Sequence, residues 1–63
     1  MVMNKLMSAI VRRASVTLSY HVASNRYVVD AYVDDTCLSC GTFVNAVDAI
    51  ESFYWTCQEM SVR

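Results

Sequence analysis

Changes of hydrophobic period divide this chain into elements. Over residues 1–14 apolar side chains recur at helical spacing: Met3, Leu6, Met7 and Ile10 share one face, Ala14 extends it, and Asn4, Ser8 and Arg12 point elsewhere. The spacing predicts a short amphipathic helix with weak caps, which must pack on something to persist. From Ser15 the period becomes two. Val16, Leu18, Tyr20 and Val22 alternate with Thr17, Ser19 and His21, the pattern of a strand with one buried face. Ala23, Ser24, Asn25 and Arg26 supply a turn in which Asn25 accepts a left-handed backbone. Tyr27, Val29, Ala31 and Val33 then alternate with Val28, Asp30 and Tyr32, so the two runs predict an antiparallel hairpin. With no Pro and few turn residues, a helix over residues 20–33 is the competing reading. Asp34, Asp35 and Thr36 form a second turn, and residues 37–43 offer a third, weaker strand.

Residues 45–60 return to a helical period. Asn45 is a favourable N-cap, and Asp48 three places on can reach back to the first turn as in a capping box. Centring the apolar face on Ile50 gathers Ala46, Val47, Phe53, Tyr54 and Cys57, with Met60 at the margin. Asp48, Glu51, Ser52 and Glu59 fall opposite, and Trp55 falls with them. A Trp among carboxylates on an outward face has the composition of a contact surface, since Trp is enriched among interface hot spots. Trp55, Asp48, Glu51 and Glu59 are therefore the candidate partner-binding residues.

Together the periods predict one small α+β domain over residues 1–63: an N-terminal amphipathic helix, an antiparallel sheet of two or three strands, and a C-terminal helix packed on one sheet face. A domain of this length buries only about 60% of its unfolded surface and is marginal alone. The chain is 56% hydrophobic with one Gly, more apolar than a small monomer easily hides, so a homodimer is expected. Long apolar runs and a secretory signal are lacking, which predicts a cytoplasmic protein with no membrane association. The net charge of −1 conceals a split: Lys5, Arg12, Arg13 and Arg26 precede all six acids, and only Arg63 follows them. That polarity suits pairing between subunits.

Chemistry-bearing residues are few. Cys37 and Cys40, followed by Gly41, have the spacing of a zinc knuckle, and Cys57 and His21 are the ligands left to complete a site. Against this, residues three apart in a flat strand point to opposite faces. A redox role would require the pair at a helix N-terminus, where the dipole lowers the thiol pKa, and the helix starts later. No nucleophile–base pair or Gly-rich phosphate loop is present, so the expectation is a non-enzymatic protein without a cofactor.

The run Gly41-Thr42-Phe43-Val44-Asn45-Ala46-Val47-Asp48-Ala49 resembles the sheet-to-helix junction of the AP2 and phage-integrase N-terminal DNA-binding modules. The resemblance implies three strands and a helix, with the sheet laid in the DNA major groove. Arg12, Arg13 and Arg26 would then hold phosphates. Those modules line the outer sheet face with basic residues, whereas the outward positions here are Thr17, Ser19, His21, Val28, Asp30, Tyr32 and Ser39, which would hold phosphate weakly. In general character the chain also resembles the small accessory proteins of lambdoid-phage early regions, which act on a host or phage protein. The leading expectation is an interaction protein that modulates such a partner, in the host cytoplasm if phage-encoded. Sequence-specific DNA binding and a zinc-stabilised adaptor are the alternatives.

Overall fold

The structure, a computed structural model, describes residues 3–62. Four strands, β1 (Met3–Val11), β2 (Ala14–His21), β3 (Arg26–Val33) and β4 (Thr36–Phe43), precede one helix, α1 (Ala46–Ser61). Each strand pairs antiparallel with the next, so the sheet order is the chain order and β1 and β4 are its edges. Helix α1 crosses one sheet face, mainly over β2 and β3. The molecule measures 32 × 23 × 15 Å, two layers thick, and among the described residues no layer covers the second sheet face.

The core follows from the alternation in the two central strands. Ala14, Val16 and Leu18 of β2 and Val29 and Ala31 of β3 are buried under Ala49, Phe53 and Met60 of α1. Val16 pairs with Ala31 and Leu18 with Val29, so one face of the hairpin is continuous and apolar. Ala31 and Ala49, both fully buried, let the helix approach the sheet closely while Phe53 fills the space beside them. The competing helical reading of residues 20–33 is excluded, because β2 and β3 pair along their whole length.

The helix-first layout with two or three strands does not hold. The segment read as an N-terminal helix is β1, paired with β2 from Met3 to Val11, although Met1 and Val2 of that segment lie outside the described residues. The register shifts between Lys5 and Met7, with Leu6 as the extra residue. A bulge of this kind interrupts the period of two. Met3 and Lys5 therefore share the open face with Ser8 and Ile10, while Met7, Ala9 and Val11 face the helix. Apolar residues on both faces, offset by one bulge, reproduce helical spacing in a strand.

The second correction is a rotation. Val47, Ile50 and Tyr54, placed at the centre of the buried face by their spacing, are exposed, and α1 is turned by roughly 80° so that Ala49 and Phe53 face the sheet. Asn45 occupies the N-cap with extended backbone, and its carbonyl accepts from the Ala49 N–H at 3.2 Å. Its side chain does not cap the backbone; Nδ2 donates instead to Asp48 Oδ2 at 3.5 Å.

The turns use non-glycine residues in the left-handed region. Asn25 takes φ 57° at the end of the β2–β3 loop, as its side chain allows. Arg12 takes φ 57° in the β1–β2 turn, and Asp34 and Asp35 take φ 50° and 66° between β3 and β4. Two central residues with positive φ define the mirror-image hairpin turn that Asn-Gly or Asp-Gly usually supplies. Gly41 has no positive φ; a Cβ there would meet the Phe43 ring at 3.3 Å, so the glycine makes room for that ring.

Replacing Asp35 with Gly is expected to stabilise the fold by about 0.5 kcal/mol, since relief of the left-handed penalty outweighs the added chain entropy. Asp34, which pairs with Arg13 at 2.6 Å, is left intact. The check is a urea denaturation curve whose midpoint rises with unchanged slope; a lower midpoint would show that the turn tolerates Asp without strain.

Candidate contact surface on the outer face of the helix

The rotation of α1 decides which side chains meet solvent. Phe53, Ala49 and Met60 turn inward, and Asp48, Glu51, Trp55 and Glu59 run along the opposite side at spacings of three and four, one ridge of a helix. The four residues proposed for a partner thus lie together. Trp55 is 70% exposed, far too open for a core residue, and it lines two depressions that flank the ridge. The one toward β4, about 640 Å³, is otherwise walled by small and polar side chains including Ser39, Ser52, Thr56 and Glu59. The one toward β1, about 530 Å³, includes Val11, Tyr54 and Cys57.

The charge on this ridge has one sign. α1 carries Asp48, Glu51 and Glu59 and no Lys or Arg. Asp48 in the first turn favours the helix, but Glu59 near the last turn opposes the macrodipole, at a cost of about 0.3–1 kcal/mol.

The arginines of the DNA-binding alternative do not converge. Arg12 and Arg13 occupy the β1–β2 turn, and Arg26 begins β3 at the other end of the sheet, a strand length or roughly 25 Å away. Arg13 donates to Asp34, and Arg26 Nη1 donates to the carbonyls of Ser24 and Asn25. The open sheet face carries Thr17, Ser19, His21, Val28, Asp30 and Tyr32 as the alternation requires, and its basic residues, Lys5 opposite Ser19 and Arg26 opposite His21, lie at the end away from the Arg12–Arg13 turn. Ser39 lies on the helix side instead, opposite Ala31. Asp30 sits in the middle of that face, and partial burial raises its carboxyl pKa above the ordinary range. Among the described residues the basic side chains of this face stay at one end of the sheet and do not extend across it past Asp30.

The cysteines are arranged differently from the flat-strand expectation. A second register shift, between Ala31 and Tyr32, places Cys37 opposite Tyr32 and Cys40 opposite Asp30, so both thiols stand on the open face. Electrostatic interaction with Cys37, and less so with Asp30, pushes the Tyr32 phenol pKa up. Cys57 lies across the sheet on α1, and His21 ends β2, where its Nδ1 meets Ser24 Oγ at 2.7 Å. The four residues considered for zinc are therefore dispersed, and the described residues contain no group of three or more His, Cys, Asp or Glu placed to hold a metal.

No described helix is long and apolar enough to cross a membrane. The junction that carried the AP2 and integrase resemblance is a strand end at Gly41-Thr42-Phe43 followed by α1 from Ala46, here after a fourth strand rather than a third. Searches against protein families, curated proteins and solved structures find no match for this chain.

Cys37 and Cys40 are exposed and Cys57 is half-buried, with burial pushing its thiol pKa up. Two thiols per chain should react rapidly with an alkylating reagent under native conditions and the third slowly. Mass spectrometry of timed aliquots checks this; equal rates at all three sites would contradict the packing of α1 on β1.

Proposed function

We propose that this chain is a non-enzymatic protein-interaction module that engages a basic partner surface through the α1 ridge of Asp48, Glu51, Trp55 and Glu59. The observation carrying the reading is the exposure of Trp55 beside two depressions, on a helix whose only charges are negative. A partner Arg or Lys can stack on the indole face while pairing with the flanking carboxylates, and cation–π contacts of this kind gain strength as the site is desolvated. The carboxylates attract and orient the partner, and the indole supplies most of the retention once it is covered. DNA is the poorer fit, since its phosphates would meet Asp30 on the open sheet face and find the arginines dispersed. A role in modulating a host or phage protein is one setting in which such a surface would serve.

The test is Trp55→Ala in the purified chain. Far-UV circular dichroism and the urea midpoint should stay within about 0.5 kcal/mol of the parent, as for an exposed position. Retention of the cognate partner should weaken by roughly 2 kcal/mol or more, about thirtyfold. A variant that fails to fold would place Trp55 in the core, and one that binds undiminished would remove it from the contact.

A further inference from the structure

The strand β1 lies at the sheet edge but has the composition of an interior strand. Met3, Leu6, Met7, Ile10 and Val11 are apolar, and Ile10 is 82% exposed. Edge strands are ordinarily blunted by charge or Pro, because their unpaired N–H and C=O groups are a template for another strand. Here the one charged side chain in β1, Lys5, precedes the bulge. Residues 7–11 continue beyond it as an uncharged run with unbroken register.

The flank of α1 above this edge is apolar as well. Val47, Ile50 and Tyr54, the residues the rotation leaves uncovered, follow one another on the β1 side of the helix, and Tyr54 is 60% exposed. Between Tyr54 and the end of β1 lies the depression of about 530 Å³ whose lining includes Val11, Cys57 and Ser61. Edge and flank form one surface with no charge between residues 7 and 11 or along the 47, 50, 54 stripe. The β4 edge differs: its strand is also uncharged, but the helix flank above it presents Ser52, Thr56 and Glu59.

We infer that two copies of this chain pair through β1, residues 7–11 lying antiparallel to the same residues of the second copy, to give a continuous eight-stranded sheet with both helices on one face. The occupant is a second copy because the surface is self-complementary. A two-fold axis through Ala9 sets Met7 against Val11 and Ser8 against Ile10, and each pair already shares a sheet face. The helices follow from strand spacing. With α1 centred over β2 and β3, the two axes lie roughly 19 Å apart, leaving a trough about 8 Å wide between helix surfaces. The two Tyr54 rings fill that trough above the paired strands and close the depression at Val11. An ordinary stable interface takes about 800 Å² from each partner, close to a fifth of the 4337 Å² this chain exposes. The dimer leaves Asp48, Glu51 and Glu59 pointing away from the axis and, of the two depressions beside Trp55, covers the one at Val11 and leaves the one toward β4 open, so its failure would not by itself remove the partner contact proposed above.

Light scattering over a dilution series reads the prediction directly. The mass should be twice the 7.1 kDa of one chain at high concentration and fall on dilution. Ile10→Lys and Tyr54→Lys should each raise the dimer Kd by about tenfold or more, with unchanged circular dichroism. Alkylation of Cys57 should slow as protein concentration rises, while Cys37 and Cys40 keep their rates. If Tyr54→Lys does not fold, Ile10→Lys decides alone, since that side chain is almost free of the monomer core. A monomer at every concentration overturns the inference, as does a dimer that survives both variants. Loss of the dimer on Leu38→Lys in β4, with Ile10→Lys still dimeric, would move the interface to the other edge.

Discussion

Everything in this fold depends on one contact, the seating of Ala49 and Phe53 of α1 on the face that β2 and β3 share. That contact is the core: five apolar side chains on one side of the sheet, Ala14, Val16, Leu18, Val29 and Ala31, under three from the single helix, Ala49, Phe53 and Met60. A four-stranded sheet is wider than one helix, so α1 covers the central hairpin well and the edges partly. The outer strands are tied to the core by their backbone ladders more than by side-chain burial, which is why β1 and β4 run largely exposed along their length. A domain of 63 residues has little stability to spare, and a layer missing from one face removes the usual means of gaining more.

The central hairpin was legible because its signal is local and redundant. Val16, Leu18, Val29 and Ala31 alternate without interruption, and the register that joins them also puts Asp30 and Thr17 on the other face. The edges were not legible, for one physical reason that applies to both. Each carries a bulge, at Leu6 and at Leu38, and a bulge transfers all later side chains to the opposite face. In β1 this produced the apparent spacing of a helix; in β4 it brought Cys37 and Cys40 to one face when plain alternation would separate them. The rotation of α1 has a different origin. The larger residues Ile50, Val47 and Tyr54 dominate a hydrophobic average, but a helix on a twisted sheet seats its small residues where the backbones come closest, and Ala49 sets the contact line. Of the candidate site, the grouping of Trp55 with Asp48, Glu51 and Glu59 was readable because it depends only on helical spacing. The dispersal of the arginines and of the zinc candidates was not, because it depends on which strand ends lie together.

The charge split along the chain acquires a spatial meaning in the fold. The early basic residues end up at opposite ends of the sheet, and two of them are spent on turns: Arg13 on Asp34 and Arg26 on the carbonyls of its own loop. Exposed pairs of this kind add about 0–1 kcal/mol each, so their service is to fix turn geometry at residues with positive φ rather than to stabilise the core. The late acids behave differently. Asp48, Glu51 and Glu59 stay on one helix with no basic residue among them, and the last of the three lies where the helix dipole disfavours a negative charge. The result is an uneven surface: a negative ridge around an open indole, an apolar flank beside it, and a sheet face of mixed polarity with a partly buried carboxyl near its centre.

That unevenness bears on how the two proposed contacts interact. In a chain this small, surface covered by a second copy adds directly to the stability of the fold, because the unfolded chain binds neither the copy nor the partner. Pairing along β1 would support one of the two weakly held edge strands, and through its ladder with β2 would protect the hairpin on which α1 sits. The ridge then inherits rigidity from an event on the adjoining flank of the same helix. A partner that grips Trp55 gains affinity from a helix already held in place, since less ordering entropy remains to be lost on binding. Association with a copy and recognition of a partner are in this way coupled through the stability of α1 alone, with no change of conformation required between them.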